Sequence, residues 1–350
     1  MGKRPQNLLG DAIPDGPANY NPGSVTRLAH LTDTHITTSG KRTAVLKDRG
    51  VEILTDLIAQ IQAKGVNAVL FGGDNIDNRD DGANDLKTFL NTVKSVENWR
   101  CIMGNHEAKA AIPGSGKITR EQFLSAVAGH GVCPDLASFS EAFGTVRVIG
   151  IDTTLVGNHG GFVSDETFSF LARELKHASE QHIIVMGHHL LTRPWAPSKL
   201  DVWDQEYLVH NRDAVNTLLA THPKVRAYLC GHHHASRIDR IAGRGGEDGF
   251  YHILTPSSAA FPHGGRILSF EEDALVVETI EPRIDGLMEE GMNAVLGGRK
   301  ARRFAGLNIE GSFIEYVGGR ERDKYARLPY RMKRAERMET VWRAERSEAV

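Results

Sequence analysis

Short apolar runs and longer amphipathic stretches alternate along this chain from residue 25 to about residue 220. The runs at 25–31, 68–71, 100–103, 146–151, 182–186 and 225–229 have the length and apolar content of buried strands, and a further short strand is predicted near 138–140. Between them, 47–64 carries Val51, Ile53, Leu54, Leu57, Ile58 and Ile61 at helical spacing. Helices are also predicted near 84–96, 119–128, 165–177 and 210–220. After residue 235 the rhythm changes, and 236–241, 249–254, 265–270 and 274–280 read as strands with no helix between them. Alternating β and α followed by a β-rich return predicts an α/β (α+β layered) architecture. Mixed sheets form a sandwich flanked by helices in four layers.

The flanks differ from this body. Residues 1–24 are rich in Pro, Gly and Asn and read as an irregular lead-in. Residues 25–282 are expected to form the main domain. Residues 283–350 form a basic extension, with the run Arg299-Lys300-Ala301-Arg302-Arg303. Within it, 330–344 places Met332, Ala335, Met338 and Trp342 on one helical face. The extension is expected to be a cap, a packed helix or a contact for a homo-oligomer.

Composition narrows the classes. A net charge of -2 argues against polyanion binding by the molecule as a whole, so no nucleic-acid partner is expected. No stretch reaches the roughly 18–20 apolar residues of a membrane-spanning helix, and the first residues lack the apolar core of a secretory signal. Cys101, Cys133 and Cys230 show no metal-ligand spacing to one another and read as reduced thiols, which fits a cytoplasmic protein. Histidine is the unusual residue: there are 16, several of them clustered.

Five strand ends carry metal-competent side chains: Asp33-Thr34-His35, Gly73-Asp74, Gly104-Asn105-His106, Gly187-His188 and Gly231-His232-His233-His234. If these residues continue the strands, Asp33 and His35 project to one side and can share an ion, as can His232 and His234. Asp74 offers two oxygens, which suits it to bridge two ions. Asn105 offers a neutral carbonyl oxygen. A donor set of carboxylate, imidazole and amide suits Mn, Fe, Zn, Co or Ni better than Mg or Ca. Most of these side chains follow a glycine, where a missing Cβ permits a sharp exit from the strand.

The ordered set D-x-H, G-D, G-N-H, G-H and G-H-x-H from Asp33 to His234 resembles the calcineurin-like metallophosphoesterase superfamily. The resemblance covers about 250 residues, and the motifs are specific as a set. It implies one metal held by Asp33, His35, Asp74 and His234, and a second held by Asp74, Asn105, His188 and His232. It also implies that His106 approaches the phosphate and assists the leaving group. The cyclic-nucleotide and glycerophosphodiester phosphodiesterase branch looks most similar, through Gly73-Asp74-Asn75-Ile76-Asp77, Gly104-Asn105-His106-Glu107, Gly150-Ile151-Asp152-Thr153-Thr154 and Thr255-Pro256-Ser257-Ser258. That branch commonly reads His-His-Pro-Pro where this chain has His188-His189-Leu190-Leu191, so the loop facing the substrate differs.

The resemblance implies hydrolysis of a small phosphodiester by metal-activated hydroxide, with two divalent or trivalent ions as cofactors and His106 as proton donor. Rivals with the same metals are a phosphomonoesterase and a nucleotide-lipid pyrophosphatase. A nuclease and a non-catalytic scaffold of the same fold stand further off. His189 and His233 flank ligand positions and are candidates for substrate contact, as are Arg193 and His159. Gly157-Asn158-His159 repeats the Gly-Asn-His string away from a strand end and reads as a loop near the site's mouth. Trp195 and His263 are further candidate pocket residues.

Overall fold

The computed structural model describes residues 25–40, 43–109, 114–193, 201–243, 249–305 and 312–331. The predicted lead-in, Trp195 and the amphipathic segment beyond residue 331 lie outside these. In chain order the elements begin with β1 (Thr26–Leu31), α1 (Gly50–Ala63), β2 (Ala68–Phe71), α2 (Gly82–Val93), β3 (Trp99–Cys101) and α3 (Arg120–Ala126). Then come β4 (Phe139–Phe143), β5 (Val146–Gly150), α4 (Asp165–His177), β6 (His182–Met186), α5 (Asp201–Tyr207), α6 (Arg212–Ala220) and β7 (Val225–Cys230). The β-rich return is β8 (Arg237–Ile241), β9 (Phe250–Leu254), β10 (Gly265–Phe270) and β11 (Ala274–Ile280). The chain continues through α7 (Leu287–Leu296), α8 (Arg299–Ala305), α9 (Phe313–Gly318), α10 (Glu321–Lys324) and β12 (Tyr325–Pro329).

The strands form two six-stranded mixed sheets flanked by helices, in the orders β12-β11-β10-β1-β2-β3 and β4-β5-β6-β7-β9-β8. β1, β2 and β3 run parallel, while β10, β11 and β12 follow on the other side of β1, each antiparallel to its neighbour. In the second sheet β5, β6, β7 and β9 run parallel, with antiparallel β4 and β8 at the edges. Strand alternation divides the core. Ile184 and Met186 of β6 join the cluster containing the first sheet, and Ile183 and Val185 join the cluster under α4 and α6. β6 is therefore apolar on both faces, as parallel strands covered on both sides are.

α1 buries Ile53, Leu54, Leu57, Ile58 and Ile61. Val51, predicted on the same face, is instead 42% exposed: it lies about 100° round the helix from buried Gly50 and faces away from the stripe that Ile53, Leu57 and Ile61 bury. α4 is capped by the Ser164 side chain, which accepts from Thr167 N. Beyond Pro282 the chain stays on the same body. Val295, Ala301, Phe304, Phe313 and Tyr316 enter the second core, and β12 is an edge strand of the first sheet. Fully buried Arg266 pins that segment by donating to Asp323 O, to Ser236 Oγ and to Leu254 O. No helix among the described residues is long and apolar enough to cross a membrane.

Candidate metal centre

The five motif loops leave the carboxyl ends of β1, β2, β3, β6 and β7 and converge in the cleft between the sheets, where open α/β sheets place their sites. The donors are not carried by strand alternation, as the sequence suggested for Asp33/His35 and His232/His234. β1 ends at Leu31 and β7 at Cys230. Asp33, His35, Asp74, His232 and His234 all sit in left-handed backbone, at φ of 52°, 42°, 50°, 66° and 54°. Each such residue costs about 1–3 kcal/mol and persists only where its surroundings over-determine it. Here the loops hold one another: Asp33 N donates to Gly73 O at 3.0 Å, His35 N to Asp74 O at 2.9 Å and Ile36 N to Asn75 O at 3.1 Å.

The glycines of the motifs are needed for close approach. A Cβ on Gly104 would stand 2.3 Å from Asp74 Oδ1, and one on Gly73 would stand 2.7 Å from His188 Nδ1. A Cβ on Gly231 would stand 2.3 Å from Asp33 Oδ2. These atoms occupy the space that any side chain would take.

Three groups of donors can each hold an ion: Asp33–His35–His234, Asp74–His188–His232 and His35–Asp74–His106, with the donor atoms of each group within 4.8 Å of one another. Asp74 joins the second and third. His234 Nε2 lies 3.2 Å from Asp33 Oδ1, His35 Nε2 lies 3.8 Å from Asp74 Oδ2, and His188 Nε2 lies 3.5 Å from Asp74 Oδ2. Asp33 Oδ1, Asn105 Oδ1 and His188 Nε2 are buried and make no hydrogen bond among the described residues. Buried polar atoms ordinarily find partners, so these orphans aimed at one cleft fit a cationic partner. The mixed oxygen and nitrogen donors fit a transition-metal ion or zinc.

The charge states agree with that fit. Burial works against ionising Asp33 and Asp74, yet the surrounding histidines hold both carboxyls well below the usual carboxylate range. Burial, with His106 nearby, keeps the His35 imidazole far below its ordinary value. Burial and His189 do the same for His232. Burial also lowers His234. Ionised carboxylates and neutral imidazoles are the states that bind metals. His188 differs: burial opposes its charge, but Asp74 and Asp33 raise it to about 9.

Several supporting residues had no role assigned to them from the sequence. The Glu107 carboxylate accepts from Gly104 N at 2.7 Å, Asp74 N at 3.0 Å and Ile76 N at 3.0 Å, tying two donor loops together. Burial, with Asp74 beside it, pushes Glu107 up to about 7. Ser257 Oγ donates to Asp33 O at 2.8 Å, which gives the Thr255-Pro256-Ser257-Ser258 turn its place in the site. Lys109 Nζ lies 2.8 Å from His106 Nδ1 and 2.6 Å from Asp77 O. Asp77 is in turn paired with buried Lys47 at 2.7 Å. His106 Nδ1 also lies 2.8 Å from Asp77 O and 3.2 Å from Asp77 Oδ1, both acceptors, so this nitrogen donates to Asp77, while Nε2 lies 3.9 Å from Asp74 Oδ2.

His35, Asp74, Asn105, His232 and His234 line a pocket of about 210 Å³ together with Arg79, His159 and Lys300. His159 is exposed at its mouth, with Nδ1 3.3 Å from Asn105 Nδ2, so the second Gly-Asn-His string is spatially beside the first. The other candidates for substrate contact do not line this pocket. His189 is fully buried, its Nδ1 2.8 Å from Thr153 Oγ1 and its Nε2 3.1 Å from His159 O. His233 hydrogen-bonds the Tyr316 hydroxyl, and Arg193 pairs with Asp204. His263 is buried with Nδ1 2.9 Å from Ser258 O. The physical reason is common to His189 and His233: their neighbours turn into the cleft, so they turn into the core.

This donor set on this pair of sheets defines a metal-dependent hydrolase of phosphoric esters. A model of the calcineurin-like phosphoesterase family matches residues 26–236, and the chain belongs to that family. It is 28% identical over 222 residues to a probable cyclic nucleotide phosphodiesterase of Rhodococcus erythropolis, a match covering 62% of this chain and 67% of that one. It is 26% identical over 215 residues to a probable glycerophosphodiester phosphodiesterase of Arcobacter nitrofigilis, covering 59% of this chain and 71% of the relative. The matches thus span about two thirds of these relatives. A dimetal phosphatase from Danio rerio shares the fold, with a TM-score of 0.57 and 18% identity over 73% of this chain and 97% of that one.

Proposed function

We propose that this chain hydrolyses a small phosphodiester of the cyclic-nucleotide or glycerophosphodiester type at a two-ion centre joined by Asp74. Asp33, His35, Asp74 and His234 hold one ion, and Asp74, Asn105, His188 and His232 hold the other. When bound, such a pair neutralises the phosphate and makes an attacking hydroxide available near neutral pH. The observation that carries the reading is that Asp74 joins the His188–His232 group while its Oδ2 also lies 3.8 Å from His35 Nε2 of the Asp33–His35–His234 group.

The chain's own residues then orient and protonate. Asn105 and Asp74 border the phosphate position, and the backbone N of His106 donates to Asp74 Oδ1 at 2.8 Å, fixing the shared carboxylate. With the ring doubly protonated and Nδ1–H donating to Asp77 O, His106 Nε2 delivers a proton to the departing ester oxygen and is left as a neutral imidazole. Arg79, exposed on the pocket wall, adds positive charge where the diester anion enters. Phosphodiesterase-named relatives support the diester as substrate.

The test is a hydrolysis screen of metal-reconstituted protein. It compares p-nitrophenyl phosphate, bis(p-nitrophenyl) phosphate, a cyclic nucleotide and a glycerophosphodiester. A higher kcat/KM for the diesters is expected. Preference for the monoester overturns the assignment.

A further inference from the structure

Past residue 236, where the family match ends, the chain builds a second and larger cavity against the first. It measures about 640 Å³, within the roughly 300–1,000 Å³ typical of small-molecule sites. Its walls include Ala44, Phe261, Ala294, Val295, Phe313 and Val317, which come from α7, α9 and two loops. The two cavities share Val45, Tyr207, His234 and Lys300, so they are adjoining parts of one cleft. His234 lines both, whereas His106 lines only the smaller. The chamber therefore opens beside the Asp33–His35–His234 group rather than beside His106.

Lys300 marks the threshold. α8 delivers it from the basic run, its Nζ donates to His233 O at 3.1 Å, and it stands 4.7 Å from the centre of the Tyr207 ring. Among the described residues around the chamber carboxylates are absent and alkyl and phenyl groups predominate, with His233, Asn293 and Arg299 as further polar members of the lining. An apolar ring placed there leaves water for apolar contact, whereas a hydroxylated or very small group gains little.

We propose that this chamber is the subsite for the non-leaving substituent of the phosphodiester and that it takes an aromatic or other apolar ring, with Lys300 facing the anionic phosphate at its entrance. The proposal rests on the functional reading above, in which His106 serves the leaving oxygen and so assigns the opposite substituent to the chamber. A ring-bearing ester is then preferred over a glycerol ester.

The experiment keeps the leaving group constant and varies the other ester. Metal-loaded wild-type protein is compared on phenyl p-nitrophenyl phosphate and methyl p-nitrophenyl phosphate, and both are repeated with Ala294→Phe and Ala294→Leu, which fill the chamber from half-buried Ala294 by different amounts. The expected kcat/KM ratio, phenyl over methyl, is tenfold or more for wild type. It falls toward one in Ala294→Phe and to an intermediate value in Ala294→Leu, with the methyl ester within twofold throughout and melting curves unchanged. A ratio near one in wild type, or one that the substitutions leave intact, overturns the proposal. Calorimetry with diphenyl and dimethyl phosphate reads the same subsite without turnover. Protein that hydrolyses no diester overturns the functional reading. Equal binding of diphenyl phosphate by wild type and Ala294→Phe overturns the chamber.

Discussion

His182 and His188 stand at the two ends of β6, and they are driven in opposite directions. His182, at the amino end, is stacked near Phe270 and Tyr330 and accepts from Arg226 Nε at 3.0 Å. Burial and the Arg226 charge lower it to about 4. His188, just past the carboxyl end, is at least as buried, but Asp74 and Asp33 raise it to about 9. Residue type and burial are shared; the difference is the company of carboxylates. The same contrast holds for the whole cleft: at the carboxyl end, left-handed loops and orphaned donors are tolerated, while the amino end spends its residues on packing.

The largest expected effect comes from removing the carboxylate that links the donor groups. Asp74→Ala should lose about 10³-fold or more in kcat/KM together with bound metal, read by turnover and elemental analysis on the same sample. His106→Ala should keep its metal and lose about 10²–10⁴-fold in kcat, the range for a general acid; loss of the ions instead would make His106 a ligand, as the His35–Asp74–His106 grouping also allows. Gly231→Ala pushes a methyl group against Asp33 Oδ2 and should weaken metal at the Asp33 group with an activity loss of about 10–10²-fold, while the fold persists by circular dichroism.

The smallest effect lies at the other end of β6. His182 is neutral in the folded chain and binds a proton more readily when unfolded. Its contribution to stability is therefore complete above about pH 6.5 and lost as pH falls from there toward about 4. His182→Gln should make the melting temperature less dependent on pH between those values and leave hydrolysis unchanged. If activity falls as well, the two ends are not independent.

Much of this was legible in the chain. Ala68–Phe71, Asp165–His177, His182–Met186, Gly265–Phe270 and Ala274–Ile280 are where apolar pattern and caps place them. The donors were legible because residue type and order survive folding. Their conformation was not: the left-handed backbone at Asp33 is held by a hydrogen bond to Gly73, 40 residues away. α5 and α7–α10, 4–10 residues long, were not predicted, although α3 and α6 of similar length were. β12 follows basic and polar neighbours, and only pairing with β11 makes it a strand. The chamber has no linear signature, since its walls come from residue 44, residue 261 and α7 to α9.

The central claim is that Asp74 sits between two ions. Anomalous diffraction at the manganese edge from crystals grown with that metal tests it directly. Two peaks flanking the Asp74 carboxylate are predicted, one against Asp33, His35 and His234 and the other against Asn105, His188 and His232. A single peak, or a pair that leaves Asp74 uncoordinated by either ion, would contradict the account.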